Sequence, residues 1–166
     1  NTLMGLGAYP ASDDRFLGML GMHGTYEANM AMHNSDLIFA VGARFDDRIT
    51  NDPKKFALKA KKIHIDIDPA SIGKIIDIDV PIVGSAKIVL KNMLDLLQKK
   101  KDKIDKKKLE PWHLQIKTWR NEHGLNHDLL DKKPSTLKIL PQQVVQALYQ
   151  ETKGDAFVTS DVGQHQ

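Results

Sequence analysis

A glycine-rich turn, a helix start, a hydrophobic strand and a charged post-strand loop follow one another within 31 residues. They read GMLGMHGTYEAN at 18–29 and LIFAVGARFDDR at 37–48. That succession is the grammar of an α/β unit that holds a phosphate-bearing ligand at the carboxyl ends of its strands. Thr25 can cap a helix over 26–34, where Ala28, Ala31 and Met32 recur at helical spacing and Glu27 stands in the first turn. Residues 37–41 are a continuous apolar run of strand length, the pattern of a strand covered on both faces.

Upstream, residues 4–7 read as a strand exit. Downstream, a short basic segment over 56–62 leads into a strand over 63–68 that alternates strictly until Pro69 stops it. A short strand over 79–84 follows, and Pro81 marks it as an edge or a strand beginning. Ser85 then caps an amphipathic helix reaching about residue 98, with Ile88, Val89, Met93, Leu94 and Leu97 on one side. Pro111 opens a helix carrying Trp112, Ile116 and Trp119, residues 124–138 are loop-like, and Pro141 starts a helix over 142–151. Gly154 and Asp155 turn the chain into a last strand at 156–161.

Alternating strands and helices up to residue 98 predict an α/β fold, a Rossmann-like doubly wound parallel sheet. Residues 1–98 form that domain, 99–140 an interdomain linker with a helix, and 141–166 the first helix and strand of a second α/β domain. Both ends interrupt predicted elements, so the expectation is a piece of a longer polypeptide.

The formal net charge of +3 is local in origin. Seven lysines and two aspartates crowd residues 99–108, so the rest of the chain carries −2. No aromatic residue interleaves with those lysines, which reads as a solvated linker or fraying helix end, and no nucleic-acid partner is expected. Cysteine is absent, which removes disulfides and thiolate chemistry. No apolar run approaches the roughly 18 to 20 residues of a membrane span, and no targeting segment is recognisable, so a cytoplasmic protein without a membrane partner is expected.

Two clusters are candidate sites. Gly21, Met22, His23 and Gly24 precede a helix amino terminus, where free N–H groups favour an anion; a structural loop with a hydrogen-bonded His23 is the alternative. Gly42, Ala43, Arg44, Phe45, Asp46, Asp47 and Arg48 follow a buried strand, at the position where open α/β sheets bind ligands. Arginine's planar fork suits phosphate or carboxylate, although an ion-pair cluster without ligand fits the same residues. Asp66 or Asp68 can accept hydrogen bonds from ribose hydroxyls, or cap the turn that Pro69 begins. A strict Gly-x-Gly-x-x-Gly fingerprint is missing, which argues against an ordinary NAD dehydrogenase. His123 and His127 have zinc-like spacing, but Gly124 and Asn126 spoil the helix they need, and no metal ligand is expected within the chain.

TLMGLG at 2–7, LGMLGMHGTYEAN at 17–29, VGARFDDR at 41–48 and DVGQHQ at 161–166 together resemble the catalytic (large) subunit of acetohydroxyacid synthase, also called acetolactate synthase. The resemblance spans essentially the whole chain. It implies a thiamine-diphosphate enzyme that condenses two 2-ketoacids with loss of carbon dioxide in branched-chain amino-acid synthesis. Mg2+ and a flavin (FAD) that does no net redox chemistry would accompany the thiamine. Thr2, Leu3, His23, Gly24, Thr25, Tyr26, Glu27, Gly42, Ala43, Arg44, Phe45 and Asp46 would line the FAD. Asp66 and Ile67 would lie near its adenosine end. Met22, Asp47 and Arg48 match positions along the substrate channel, and Arg48 would receive the ketoacid carboxylate. Val162, Gly163, Gln164 and His165 match the start of the thiamine diphosphate site. Ser85 stands where many relatives carry aspartate on the adenine side, which implies altered contact there. Full-length subunits would form a homodimer or homotetramer with a small regulatory subunit.

The family's catalytic glutamate and its Gly-Asp-Gly metal motif are not among these residues, so the 166-residue chain alone is expected to be inactive. Other readings are a sister thiamine enzyme, such as glyoxylate carboligase or pyruvate oxidase, and a non-catalytic nucleotide-binding module.

Overall fold

The computed structural model describes residues 1–100, 105–125, 139–161 and 163. Contacts gather the chain into two units, 1–124 and 125–166.

The first unit is built on an open three-stranded parallel sheet in the order β1 (Leu37–Val41), β2 (Lys61–Asp66), β3 (Val80–Val83). Leu37 pairs with Lys61 and Val41 with Ile65, while Ile63 pairs with Val80 and Asp66 with Val83. All three strands therefore end at the same edge. Two further backbone bonds extend the ladder past it: Gly42 N–H donates to Ile65 O at 2.8 Å, and Gly84 N–H donates to Asp66 O at 2.9 Å.

Helix α1 (Tyr26–Asn34) begins where expected: Thr25 Oγ1 accepts from Ala28 N–H and also donates to Leu17 O at 2.5 Å. A single turn, α2 (Asp47–Thr50), follows β1, and α3 (Ala86–Gln98) follows β3. Helix α4 (Glu110–His123) packs on α1. Below the sheet edge, Phe45, Phe56, Ala57, Ala60, Ala40 and Ile76 form the apolar core, with Met32, Ile38 and Ile49 packed against it. Phe45 meets Phe56 edge to face at 5.8 Å.

Several local expectations are corrected. Only one face of β1 is well covered: Leu37, Phe39 and Val41 are exposed, because α3 makes its main sheet contacts with β2. Residues 4–7 are not a strand exit; Leu3–Gly5 is a 3-10 turn and Gly7 takes a positive φ of 87°. The second strand stops at Asp66, not residue 68, because Asp66 Oδ1 accepts Asp68 N–H and Asp68 in turn caps the 3-10 turn Pro69–Ser71. Ser85 occupies the cap position of α3 without a side-chain cap bond; its carbonyl accepts Val89 N–H instead.

In the second unit, α5 (Pro141–Thr152) is closed by Lys153 and Gly154, both in the left-handed region. The strand expected over 156–161 does not form, since no neighbouring segment among the described residues pairs with it. The loop expected over 124–138 lies mostly outside the described residues.

Candidate functional site

The loop after β1 is shaped by two residues with positive φ, Gly42 at 63° and Phe45 at 56°. Phe45 drives its ring into the core, against Phe56 and edge-on to His64 at 5.1 Å. Burying that ring turns its neighbours outward. Arg44 Nη2 bonds Asp46 Oδ2 at 2.9 Å, with both side chains largely in solvent. The Asp46 carbonyl then accepts Ile49 and Thr50 N–H to start α2, which begins with Asp47 and Arg48.

The glycine turn meets this loop directly. Met22 N–H donates to Arg48 O at 2.8 Å, and Gly21 holds φ at 106°. A Cβ at Gly21 would stand 2.5 Å from Arg48 O, so only glycine allows the two segments to touch. Asn29 of α1 grips the same residue from the other side: its Oδ1 accepts Gly21 N–H at 2.7 Å and its Nδ2 donates to Gly21 O at 2.9 Å.

Between turn and loop lies a cavity of about 260 Å³ lined by Met22, Asp47 and Arg48, with Gly21, Asn29 and Asn51. Arg48 Nη1 rests 3.9 Å from Met22 Sδ. Among the described residues no carboxylate oxygen lies within ion-pair distance of its guanidinium, although Asp47 shares the cavity lining, so the guanidinium can still take an entering carboxylate.

The structure thus brings Met22, Asp47 and Arg48 together. Gly42, Ala43, Arg44 and Asp46 sit at the carboxyl edge of the sheet, beside Asp66, exposed Ile67 and Ser85 at the ends of β2 and β3. Thr2 and Leu3 adjoin the glycine turn, because Leu20 N–H donates to Asn1 O at 3.0 Å. His23 and Gly24 lie in that turn, with His23 exposed. The N–H groups of Gly21, Met22, Gly24 and Thr25 are all taken within the protein, which leaves fewer for an anion than the glycine pattern suggests.

Thr25, Tyr26 and Glu27 each have a partner within the protein. Thr25 caps α1, the Tyr26 ring lies 4.4 Å from that of His123, and Glu27 is buried against Arg120. Of the thiamine candidates, Val162, Gln164 and His165 lie outside the described residues, while Gly163 is exposed in the second unit.

Residues that sequence reasoning did not single out complete the first unit's site. Asn29 and Asn51 line the cavity, and Arg120 ties α4 to the segment before the glycine turn. His64 is fully buried below Phe45, with neither ring nitrogen hydrogen-bonded and Nε2 3.9 Å from Asp66 Oδ2. Only the helical position of Asn29, eight residues after Gly21, left any trace in the sequence.

Residues 1–93 match the family described as thiamine pyrophosphate enzyme, central domain. The chain is 53% identical over 165 residues to the acetolactate synthase isozyme 3 large subunit of Escherichia coli, covering 99% of this chain and 28% of that protein. It is 54% identical over 168 residues to the acetolactate synthase large subunit of Haemophilus influenzae, covering 100% of this chain and 28% of that one. Against acetolactate synthase 1, chloroplastic, of Nicotiana tabacum the identity is 42% over 166 residues, covering 100% of this chain and 24% of that protein. The chain therefore spans about 28% of the length of the first two curated relatives. With a parallel sheet, a glycine turn locked onto the post-strand loop and a sequence that matches over residues 1–93, this chain belongs to the thiamine pyrophosphate enzyme family, of which it carries the central domain.

Proposed function

We propose that the chain is the flavin-binding central part of an acetolactate synthase large subunit, which joins two 2-ketoacids with decarboxylation. The observation that carries this reading is the cavity where Met22, Asp47 and Arg48 meet, with the Arg48 guanidinium free to take a carboxylate. A charge-assisted pair of that kind contributes on the order of 1.5–3 kcal/mol. Met22 supplies the apolar wall beside it and Asp47 opens the short helix that presents Arg48.

The sheet edge fits a dinucleotide. A Cβ at Gly42 would meet nothing within 4 Å, so the backbone there is open to close approach. Arg44, exposed and braced by Asp46, suits a pyrophosphate, and Asp66 at the end of β2 suits a ribose. In this reading Gly42, Ala43, Arg44, Phe45, Asp46, Asp66, Ile67 and Ser85 hold FAD, with Thr2, Leu3, His23 and Gly24 beside them. Thr25, Tyr26 and Glu27 support the turn from behind. The flavin, when bound, fills a structural role next to the substrate path. Family membership implies thiamine diphosphate as the cofactor that carries the chemistry. Val162, Gly163, Gln164 and His165 are our candidates for its diphosphate, whose charge Mg2+ would neutralise when bound.

Full-length subunits are proposed to assemble as homodimers or homotetramers with a small regulatory subunit, in the cytoplasm. No helix among the described residues is long and apolar enough to cross a membrane. The test is steady-state kinetics on a full-length subunit containing this segment, with pyruvate as substrate and acetolactate as product. Arg48→Ala is expected to raise KM about 10-fold or more, the kinetic equivalent of the lost pair. Turnover of glyoxylate or an oxidase reaction in place of acetolactate formation would overturn the reading. The 166-residue chain alone is expected to make no acetolactate.

A further inference from the structure

We infer that Asn29 is a positioning residue for the cavity: its side-chain amide sets Gly21, and through it holds Met22 over Arg48. Asn29 uses both ends of its amide on one backbone residue, accepting from Gly21 N–H at 2.7 Å and donating to Gly21 O at 2.9 Å. The amide's orientation follows from the chemistry, since an N–H requires the oxygen and a carbonyl requires the nitrogen. This two-point grip reproduces what a neighbouring β-strand residue would supply, and no other residue type matches it here. Aspartate lacks the donor and would set a carboxylate oxygen against the Gly21 carbonyl, and glutamine is a methylene too long.

The grip has a counterpart on the opposite side, where Met22 N–H donates to Arg48 O at 2.8 Å. Residues 21 and 22 are thereby clamped between α1 and α2. The Met22 side chain, exposed at the cavity mouth, is left with Sδ 3.9 Å from Arg48 Nη1. Asparagine is a poor choice for a helix interior on propensity alone, so its place in α1 calls for a tertiary explanation. Asn29 reaches the cavity lining itself, next to the residues it orders.

The primary test does not depend on the proposed activity. In the full chain carrying 13C-methyl methionine, the Met22 methyl resonance reports its seat over Arg48. Asn29→Ala is expected to shift that resonance away from its position in the unmodified chain while the Met30 and Met32 methyls of the same helix stay in place. Asn34→Ala removes another asparagine of α1, one whose side chain among the described residues bonds within its own helix to Met30 O, and should leave Met22 unmoved. A folded Asn29→Ala chain with an unchanged Met22 resonance would overturn the inference. Should that variant fail to fold, hydrogen exchange in the unmodified chain decides. The Gly21 amide must be protected well beyond that of exposed His23, and equal exchange at the two would sink the idea. A second consequence rests on the acetolactate synthase reading. In the full-length enzyme, Asn29→Ala should raise KM for pyruvate about fivefold, leaving kcat within about twofold and flavin content unchanged. If the unmodified enzyme makes no acetolactate, that reading fails, while the methionine resonance still judges Asn29.

Discussion

The carboxylate of Glu27 and the guanidinium of Arg120, 93 positions apart, pair at 3.4 Å across the α1–α4 contact. Arg120 also donates to Phe16 O at 2.7 Å and to Asp14 O at 3.3 Å. One side chain on α4 therefore fastens the chain both before and after the glycine turn, and the Tyr26–His123 ring contact lies alongside. The second carboxylate oxygen, Glu27 Oε2, is buried without a hydrogen-bond partner among the described residues. Arg120 is thus the main compensation for a charge held inside the protein.

Removing that compensation should be costly. Arg120→Ala leaves the Glu27 carboxylate buried and unpaired, and we expect a loss of about 2 kcal/mol. That figure sits below the value for a fully buried pair, because the Arg120 side chain is 36% exposed and water can reach it. Adding Glu27→Ala to Arg120→Ala should cost much less than the sum of the two single changes, since both act on one interaction. Chemical denaturation of the four proteins checks this, and simple additivity would contradict the pairing.

This pair also marks where the sequence stops being informative. Strand β1 was legible to the residue because its signal is local: an apolar run bounded by Asp36 and by Gly42. The Thr25 cap was legible for the same reason. The end of β2 was not, since Asp68 serves the following turn more strongly than the alternation serves the strand. A partner such as Arg120 for Glu27 depends on how helices pack, and no periodicity announces it. Met22, Asp47 and Arg48 were recognised by motif, but their convergence on one cavity required the Gly21 contact with Arg48.

That contact makes a sharp comparison between two glycines. Both Gly21 and Gly73 have positive φ, at 106° and 69°. Gly73 has nothing within 4 Å of a would-be Cβ, so Gly73→Ala should cost only the backbone strain of about 1 kcal/mol. Gly21→Ala adds a collision with the Arg48 carbonyl and should cost about 3 kcal/mol, with the cavity disturbed as well. Equal stability losses for the two variants in thermal melts would mean that turn and loop are not in contact.

Thr25 joins the turn to α1 by two bonds of one hydroxyl, accepting from Ala28 N–H at 3.3 Å and donating to Leu17 O at 2.5 Å. Thr25→Val keeps the shape and loses both, for an expected cost of about 1–2 kcal/mol. Thr25→Ser retains the hydroxyl and should recover most of that loss. If valine costs nothing while serine does, the methyl group and not the hydroxyl holds this junction.

At the opposite end of the sheet, Lys61 Nζ bonds Asp79 Oδ1 at 2.7 Å, and Lys62 N–H donates to Asp79 Oδ2 at 2.9 Å. The Lys61 side chain first, and the Lys62 amide second, hold the Asp79 carboxyl below its ordinary value of 3.8. A carboxyl depressed in the folded state contributes stability that is fully present above its unfolded pKa, and loses it as pH falls through the folded one. Lys61, raised above 10.5 by the same bond, behaves in mirror image: its contribution is intact below that value and fades as pH climbs through the higher folded pKa. Both groups face solvent, so added salt should weaken the effect throughout. We therefore expect the stability gap between the unmodified chain and Asp79→Asn to be flat from neutral pH down to the ordinary carboxyl value of 3.8, then to close as pH falls further through the lowered folded value. Denaturant titrations across that range provide the measurement, and a gap that persists undiminished at the acid end would show that the Lys62 amide bond, and not the charge pair, clips β2 to β3.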